Sequence, residues 1–394
     1  GLINVIPLLA LSLPAGALAD HADRRTIIRN AQAVLVVLSL ALAALSVGRS
    51  HLPDLAALRW ANAGLKQIAL LFERHTDPAT LRFDEPALPL MLLLLAASAC
   101  VRILGWPARS TIIPLLLPQS ALSNAITWNT SAFEVATMAG PAVGGFIIAG
   151  LGFPSVYLMD AVLGVAFCLV LGRVKYFQVP QPAAKARTWK HLLAGADFIW
   201  RKKVILGASS LDLFATLLGG AVALLPIYAD RILHVGPIGL GWLRAAPSIG
   251  AFAMAMWIAH RAPMAHPGRV LLWSVAGFGL AILVFGFSTW FWLSFVALIF
   301  TGAFDNVSVV VRQTLVQLLT PDALRGRVTG VNQIFIGSSN EIGALRAGLM
   351  GALLGPVAAV VSGGLGTLVV VALIARKVPA LRRLAPLHTL RPED

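Results

Sequence analysis

From Val270 to Phe304 the chain carries no Asp, Glu, Lys or Arg, and from Ala347 to Ala375 it again carries none. A helix crossing a hydrocarbon core needs about 20 apolar residues. Each stretch is therefore longer than one span, and a backbone in lipid must satisfy its own hydrogen bonds as a helix. The chain is 58% hydrophobic and 12% charged, about half the charge of an ordinary soluble domain, at ~25%. A polytopic, all-α membrane protein is the fold class these facts impose.

The formal charge of +14 would point to nucleic acid in a soluble protein. Here the positive residues sit in short connections between apolar segments, as the positive-inside bias places them, so no nucleic acid is expected. Turn and charge punctuation delimits eleven spans: 1–19, 30–47, 87–107, 122–150, 154–172, 204–226, 239–259, 270–287, 290–311, 328–352 and 355–375. The connections 20–29, 108–121, 173–203, 260–269, 312–327 and the tail 377–394 are rich in Lys and Arg. The opposite set, 151–153, 288–289 and 353–354, has neither. The basic set, with the C-terminus, is therefore expected in the cytoplasm. Cys100 and Cys168 both lie in apolar runs and read as free packing thiols.

An internal repeat orders the spans. The stretch RSTIIPLLLP (109–118) aligns with RQTLVQLLTP (312–321) at an offset of 203, and Gly140 aligns with Gly343 at the same offset. Both copies read as connections between two spans. The first half exceeds the second by about the length of segment 48–86, whose five basic and five acidic residues cancel. Within that insert, Leu58, Leu65 and Ile68 recur at near-helical spacing opposite Arg59 and Lys66, which fits either an amphipathic surface helix or a partly ordered loop. The second half holds six spans and the first five, so one span is expected ahead of Gly1. The expected organisation is an N-terminal bundle 1–172, a cytoplasmic linker 173–203, a C-terminal bundle 204–376 and a tail. Parallel six-span repeats are one of the known transporter architectures.

With the repeat in place, Gly16, Asp20, His21, Asp23, Arg24 and Arg25 (GALADHADRR) resemble the loop between the second and third helices of the major facilitator superfamily. Gly140, Pro141, Gly144 and Gly145 (GPAVGG) resemble its fifth-helix motif. The stretches PARSTIIPLLLP, TPDALRGRVTGV and GSSNEIG resemble its transmembrane secretion effector branch, the one containing the enterobactin exporter. The resemblance implies two six-helix bundles, alternating access, and a latch formed by Asp20 with the arginines. It connects GPAVGG with antiport exporters. His21 stands where relatives carry Arg or Lys. That departure either weakens the latch or makes it titratable near neutral pH.

The residues can also be read without the family. Asp23 is placed to cap a helix starting near Thr26. The three glycines around Pro141 give one helix a small face for close packing and a weakened hydrogen-bond ladder. Eight ionisable residues fall inside spans: Arg102, Glu134, Asp160, Asp212, Arg244, Asp305, Glu341 and Arg346. Each would cost about 2.5–3.5 kcal/mol facing lipid at mid-helix on insertion scales, so each is expected to face a partner or a cavity. Glu134, Asp212 and Glu341 lie near mid-span and suit proton coupling, because burial and exposure move a carboxyl between neutral and charged forms. Arg102 lies at the depth of Glu134, and Asp305 two turns before Arg312 on one helix face. Together these five are the candidates for coupling or for lining a cavity. Phe133, Trp242, Trp257 and Phe335 are aromatic candidates for a pocket, set against plain packing.

No H-E-x-x-H or Cys/His spacing points to a metal, and GGLG (363–366) lacks the Lys-Ser/Thr of a phosphate loop. An enzyme, a bound cofactor or an ATP-driven pump is not expected. The expectation is a monomeric transporter of the bacterial inner membrane, exporting a small amphiphilic molecule, siderophore-like or drug-like, in exchange for protons. The rival readings are a lipid or lysolipid translocator of the same fold and a non-transporting membrane sensor or scaffold.

Overall fold

The computed structural model describes residues 22–47, 56–72, 87–116, 119–174, 196–260, 264 and 266–384, with isolated positions (6, 7, 10, 11, 14, 15 and 18) ahead of them. Gly16, Asp20 and His21 of the loop motif lie outside the described residues, as do most of span 1–19, most of the linker and the end of the tail. All regular structure among the described residues is helical. Seven of the helical segments are long and apolar enough to cross a membrane, and the protein is a multi-pass membrane protein.

The chain divides into two compact units, 1–133 with 146–186, and 134–145 with 187–394. In the first unit α1 (Arg24–Val47) packs on α3 (Ala87–Leu116) and α5 (Phe153–Arg173), while α2 (Ala56–Phe72) lies in the insert. The insert thus forms the helix that its leucine spacing allowed. Ile28, Ala108, Ile112 and Leu171 are the buried apolar contact among α1, α3 and α5. α4 (Gln119–Leu151) contributes 134–145 to the second unit.

The second unit contains α6 (Lys203–Gly219), α7 (Gly236–Ala259), α8 (Pro267–Phe287), α9 (Phe291–Leu319), α10 (Asp322–Leu354) and α11 (Pro356–Lys377). Small residues allow its closest crossing. A methyl group on Gly250 of α7 would collide with the carbonyl of Ile299, and one on Gly302 of α9 with the carbonyl of Pro247. Without Cβ atoms the two backbones meet directly, the usual route to tight helix association in lipid.

The repeat is written in the backbone. α4 and α10 begin and end at an offset of 203, and so do the ends of α3 and α9. The glycines that follow α4 and α10, Gly152 and Gly355, share an unusual conformation, with φ 78° and ψ 174° in one and φ 85° and ψ 159° in the other. That region is essentially closed to residues with a Cβ. Each is followed within two residues by a proline at the start of the next helix, where the missing N–H costs nothing.

Two sequence boundaries are corrected. The arginine-led stretches at 109 and 312 read from sequence as connections, yet α3 runs to Leu116 and α9 to Leu319, so both arginines lie inside helices. A lone arginine near the end of an apolar run resembles a terminus, but one that finds a partner across helices has no need of bulk water. The span expected at 204–226 continues instead to Ile232. Beyond Gly220 a 3₁₀ turn (Ala221–Leu224), a helical turn (Leu225–Ile227) and a π turn (Tyr228–Ile232) extend α6. Asp212 therefore lies about a third of the way along that segment, not at its centre. The break at Gly220 has a packing cause, since a Cβ there would lie 2.8 Å from the Gly343 carbonyl oxygen of α10.

Candidate functional site

The strongest charged constellation lies in the second unit, between α6, α9 and α10. Arg312 of α9 is 1% exposed and Asp212 of α6 is 7% exposed. Arg312 Nη2 stands 3.1 Å from Asp212 Oδ2, and Nη1 donates to Asn332 Oδ1 of α10 at 3.2 Å. Arg312 Nε and the buried hydroxyls of Ser209 and Ser308 find no hydrogen-bond partner among the described residues. Ser209 precedes Asp212 by three positions and Ser308 precedes Arg312 by four, so each shares a helix face with its charged neighbour. Buried polar groups of this kind are ordinarily met by protein or by water.

Asp305 sits two turns before Arg312 on α9, as its spacing predicts. Unlike Asp212, it is exposed, yet it is close enough to feel the charges of both Asp212 and Arg312. The two acids thus differ in kind: Asp212 is locked in a buried ion pair, and Asp305 is exposed, with no hydrogen bond or ion pair among the described residues. Arg312 is absent from the candidates that the sequence offers, because an arginine closing an apolar run reads as part of a connection. The signal that finds it is its offset of seven from Asp305.

The other candidates are dispersed. Glu341 is half-buried on α10 with no hydrogen bond or ion pair among the described residues. Its helix neighbour Arg346 instead donates to the Leu218 carbonyl, next to the break in α6, and to Ser362 Oγ at 3.2 Å. Asp160 accepts a hydrogen bond from Ser39 at 2.5 Å. Glu134 lies in α4, but its side chain is outside the described residues. Arg102 and Arg244 are exposed, as are Phe133, Trp242, Trp257 and, at the margin, Phe335.

Of the glycines in the fifth-helix motif, Gly145 is the one in close contact. A Cβ on it would lie 2.6 Å from the Pro237 carbonyl oxygen, and one on Gly241 of α7 2.6 Å from that of Pro141. Gly140 and Gly144 face open space. In the loop motif, Asp23 caps α1, which starts at Arg24, a little before the expected Thr26. Its Oδ2 accepts from the Thr26 amide at 2.9 Å and from the Thr26 hydroxyl. Slight burial pushes the Asp23 carboxyl up, but these bonds, the Arg25 amide and the Arg25 guanidinium outweigh it and hold the pKa below the ordinary value. Arg25 also donates to the Gly172 carbonyl and so ties the start of α1 to the end of α5.

The first unit holds the repeat counterpart of Arg312. Arg109, also seven residues before its helix end, donates to the neutral amide of Gln32 and stands 5.7 Å over the Phe167 ring. No group of three or more His, Cys, Asp or Glu among the described residues is placed to hold a metal.

Long membrane helices in two repeated halves, with charges buried between helices of one half, define a membrane transporter of the major facilitator fold. Solved structures bear this out for the fold: a D-xylose–proton symporter superposes with a TM-score of 0.66 at 13% identity, over 96% of this chain and 89% of that one. A bacterial homologue of the human lysosomal transporter Spinster gives 0.62 at 13% identity, over 97% and 89%. The chain belongs to the transmembrane secretion effector family, whose model matches residues 78–390; it is a transporter and not an enzyme. Among curated proteins it is similar to the enterobactin exporter EntS of Shigella boydii, 28% identical over 299 residues, covering 76% of this chain and 71% of that protein. The enterobactin exporters of Escherichia coli match equally over the same share.

Proposed function

We propose that this protein is a secondary transporter of the bacterial inner membrane that exports a small amphiphilic molecule, siderophore-like or drug-like, by proton antiport through alternating access. It acts as a monomer with its C-terminus in the cytoplasm. Two bundles, 1–172 and 204–376, are joined by the linker 173–203. The family and the enterobactin exporters similar to it support the export of a small molecule. The observation that carries proton coupling is Asp305, an exposed acid on a membrane helix beside a buried Arg312–Asp212 pair. A carboxyl so placed binds a proton when the surroundings close over it and releases it when water returns. Asp212 serves as the fixed counter-charge that keeps Arg312 in position. Ser209 and Ser308 supply hydroxyls that water can bridge between the two acids.

The test is uptake into everted membrane vesicles, with a panel of labelled amphiphiles and an imposed proton gradient. Wild type accumulates at least one of them when the gradient is present and loses it on addition of an uncoupler. Asp305→Asn abolishes accumulation but retains exchange of substrate between the two sides. Gradient-driven uptake by Asp305→Asn equal to wild type would end the assignment, and the absence of gradient-dependent uptake of every compound by wild type would end the antiport reading.

A further inference from the structure

On α8, Arg269, Trp273, Leu280 and Phe287 recur at i, i+4, i+11 and i+18 and so share one narrow face. All four are exposed, Trp273 at 77%. On α11, Leu365, Val369, Leu373 and Arg376 recur at i, i+4, i+8 and i+11, again on one face and again exposed. Each helix thus carries an exposed apolar stripe that ends in an arginine. On a membrane helix, a face of this composition meets acyl chains, since a water-filled cavity selects polar side chains.

The two stripes form one surface. A Cβ on Gly279 of α8 would lie 3.2 Å from Leu368 of α11 and 3.3 Å from the Gly364 carbonyl oxygen, and one on Gly286 would lie 3.0 Å from Val361. The later glycine meets the earlier part of α11, so the helices are antiparallel. Ten residues before Gly279 is Arg269, and ten after Leu368 is Val378. Arg269 is therefore level with the end of α11, where Arg376 and Lys377 lie. At about 100° per residue, each stripe is turned about 110° from the mutual contact, in the same sense along its own chain. In antiparallel helices that turns both stripes to the same side.

A third element adds charge to this end. The short helix α12 (Pro379–Arg382) packs on α8 and α11. Its Leu381 is fully buried, and a Cβ on Gly268 would collide with the Leu381 carbonyl, so the backbone of α12 lies directly on the start of α8. Arg382 and Arg383 follow at once and are exposed. With Arg269, Arg376 and Lys377 they gather five cations at one end of the apolar surface.

This pattern matches the two parts of one kind of molecule. Guanidinium forks suit phosphate oxygens, basic pockets between membrane helices take anionic head groups, and the stripes run away from the cations as acyl chains run from a head group. The positive-inside bias accounts for basic residues at helix ends. It does not require two exposed apolar stripes to converge on them, or a buried leucine to pin the turn that brings two more. We infer that the α8–α11 face, closed at one end by α12, is a binding site for an anionic phospholipid. Arg269 and Arg376 hold the phosphate, and the acyl chains lie along the two stripes. The site is independent of the export reading and of its coupling ion.

The experiment is native mass spectrometry of the purified full chain in detergent, titrated with phosphatidylglycerol or phosphatidylcholine of identical acyl chains. Wild type binds phosphatidylglycerol at least tenfold more tightly than phosphatidylcholine. The double variant Arg269→Gln with Arg376→Gln loses at least fivefold for phosphatidylglycerol and keeps phosphatidylcholine within twofold, and the double lysine variant recovers most of the loss, which a folding defect would not permit. Arg29→Gln with Arg173→Gln removes the same charge from helices of the first unit and leaves the preference within twofold of wild type. Trp273→Ala with Leu373→Ala weakens both lipids together, because the acyl contact is common to them. Glycerophosphoglycerol, the same head group without chains, does not displace the lipid at a hundredfold excess. No preference for phosphatidylglycerol in wild type, which needs no variant to fold, overturns the inference. Equal losses in the two double Gln variants overturn it as well, by reducing the site to general attraction, and displacement by the chain-free head group does so by assigning a soluble phosphate.

Discussion

Replacing Asp212 by Asn removes one charge from a pair that is almost wholly buried and leaves Arg312 facing two neutral amides. At 3.1 Å and an effective dielectric of about 20, the lost attraction is ~5 kcal/mol. Desolvation offsets most of that in the intact pair, but it is not recovered when only one partner goes. Breaking a buried pair from one side costs about 3–5 kcal/mol, whereas replacing both charges is often neutral. The expected pattern is therefore strongly non-additive. Asp212→Asn and Arg312→Met each lower the melting temperature by roughly 6–10 °C, taking about 2 °C per kcal/mol for a domain of about 200 residues. The double variant returns to within ~3 °C of wild type, the equivalent of about 1–1.5 kcal/mol on the same scale. Asp197 and Arg201 provide the control. They are closer, at 2.9 Å, but their side chains are 58% and 78% exposed, so Asp197→Asn shifts stability by no more than about 0.5 kcal/mol. The assay is thermal unfolding of the detergent-solubilised protein followed by tryptophan fluorescence. A double variant as unstable as the sum of the singles would refute the reasoning, and so would an Asp212→Asn no worse than Asp197→Asn.

Gly145→Ala drives a methyl into the Pro237 carbonyl and should destabilise by about 1–3 kcal/mol, as overpacking does, whereas Gly140→Ala, in open space on the same motif, should be neutral or stabilise by up to ~1 kcal/mol; melting curves of the two variants separate them. Gly355→Ala forces a Cβ into a backbone region at φ 85° and should cost of order 1–3 kcal/mol, read by the same assay and matched by Gly152→Ala in the first unit. Asp23→Ala removes the cap of α1 at a cost of about 1 kcal/mol. Because the folded carboxyl titrates below the ordinary value, its contribution is present above that value and is lost as pH falls through the folded pKa. The difference in melting temperature between wild type and Asp23→Ala should therefore persist at neutral pH and close below about pH 4, and a difference that instead grows on acidification would contradict the cap.

What sequence could foretell followed from whether the controlling interaction was local or repeated. The uncharged runs required membrane helices, and an offset of 203 recovered from one arginine-led stretch also fits helix ends and two glycines that were not used to find it. The leucine spacing of the insert admitted α2 because amphipathic periodicity is a property of neighbouring residues. Arg109 and Arg312 were misplaced for the opposite reason. An arginine near the end of an apolar run carries the local signature of a terminus, and the groups that meet these side chains, Gln32 and Phe167 in one unit and Asp212 and Asn332 in the other, lie on other helices. The course of α6 was hidden similarly. Asp230 and Arg231 read as a loop, while the break at Gly220 depends on the carbonyl of Gly343 in α10.

The repeat also explains why equivalent positions need not share a role. α3 and α9 place residues 102 and 305 at the same register, seven before an arginine that the duplication has kept in both halves. In the second unit that arginine is neutralised by Asp212, and the open position holds an acid. In the first unit, among the described residues, it meets Gln32 and Phe167, and the open position holds a second arginine. The same register therefore presents a carboxylate in one half and a guanidinium in the other. A duplicated fold supplies both without a new element, because moving a charge costs a substitution and leaves the helix contacts of Gly105, Ala108 and Ile112 untouched. Asp305→Arg, which gives the second unit the charge that the first carries at this register, should abolish gradient-driven uptake into everted vesicles. Gradient-driven uptake by Asp305→Arg equal to wild type would contradict a role for this register in coupling.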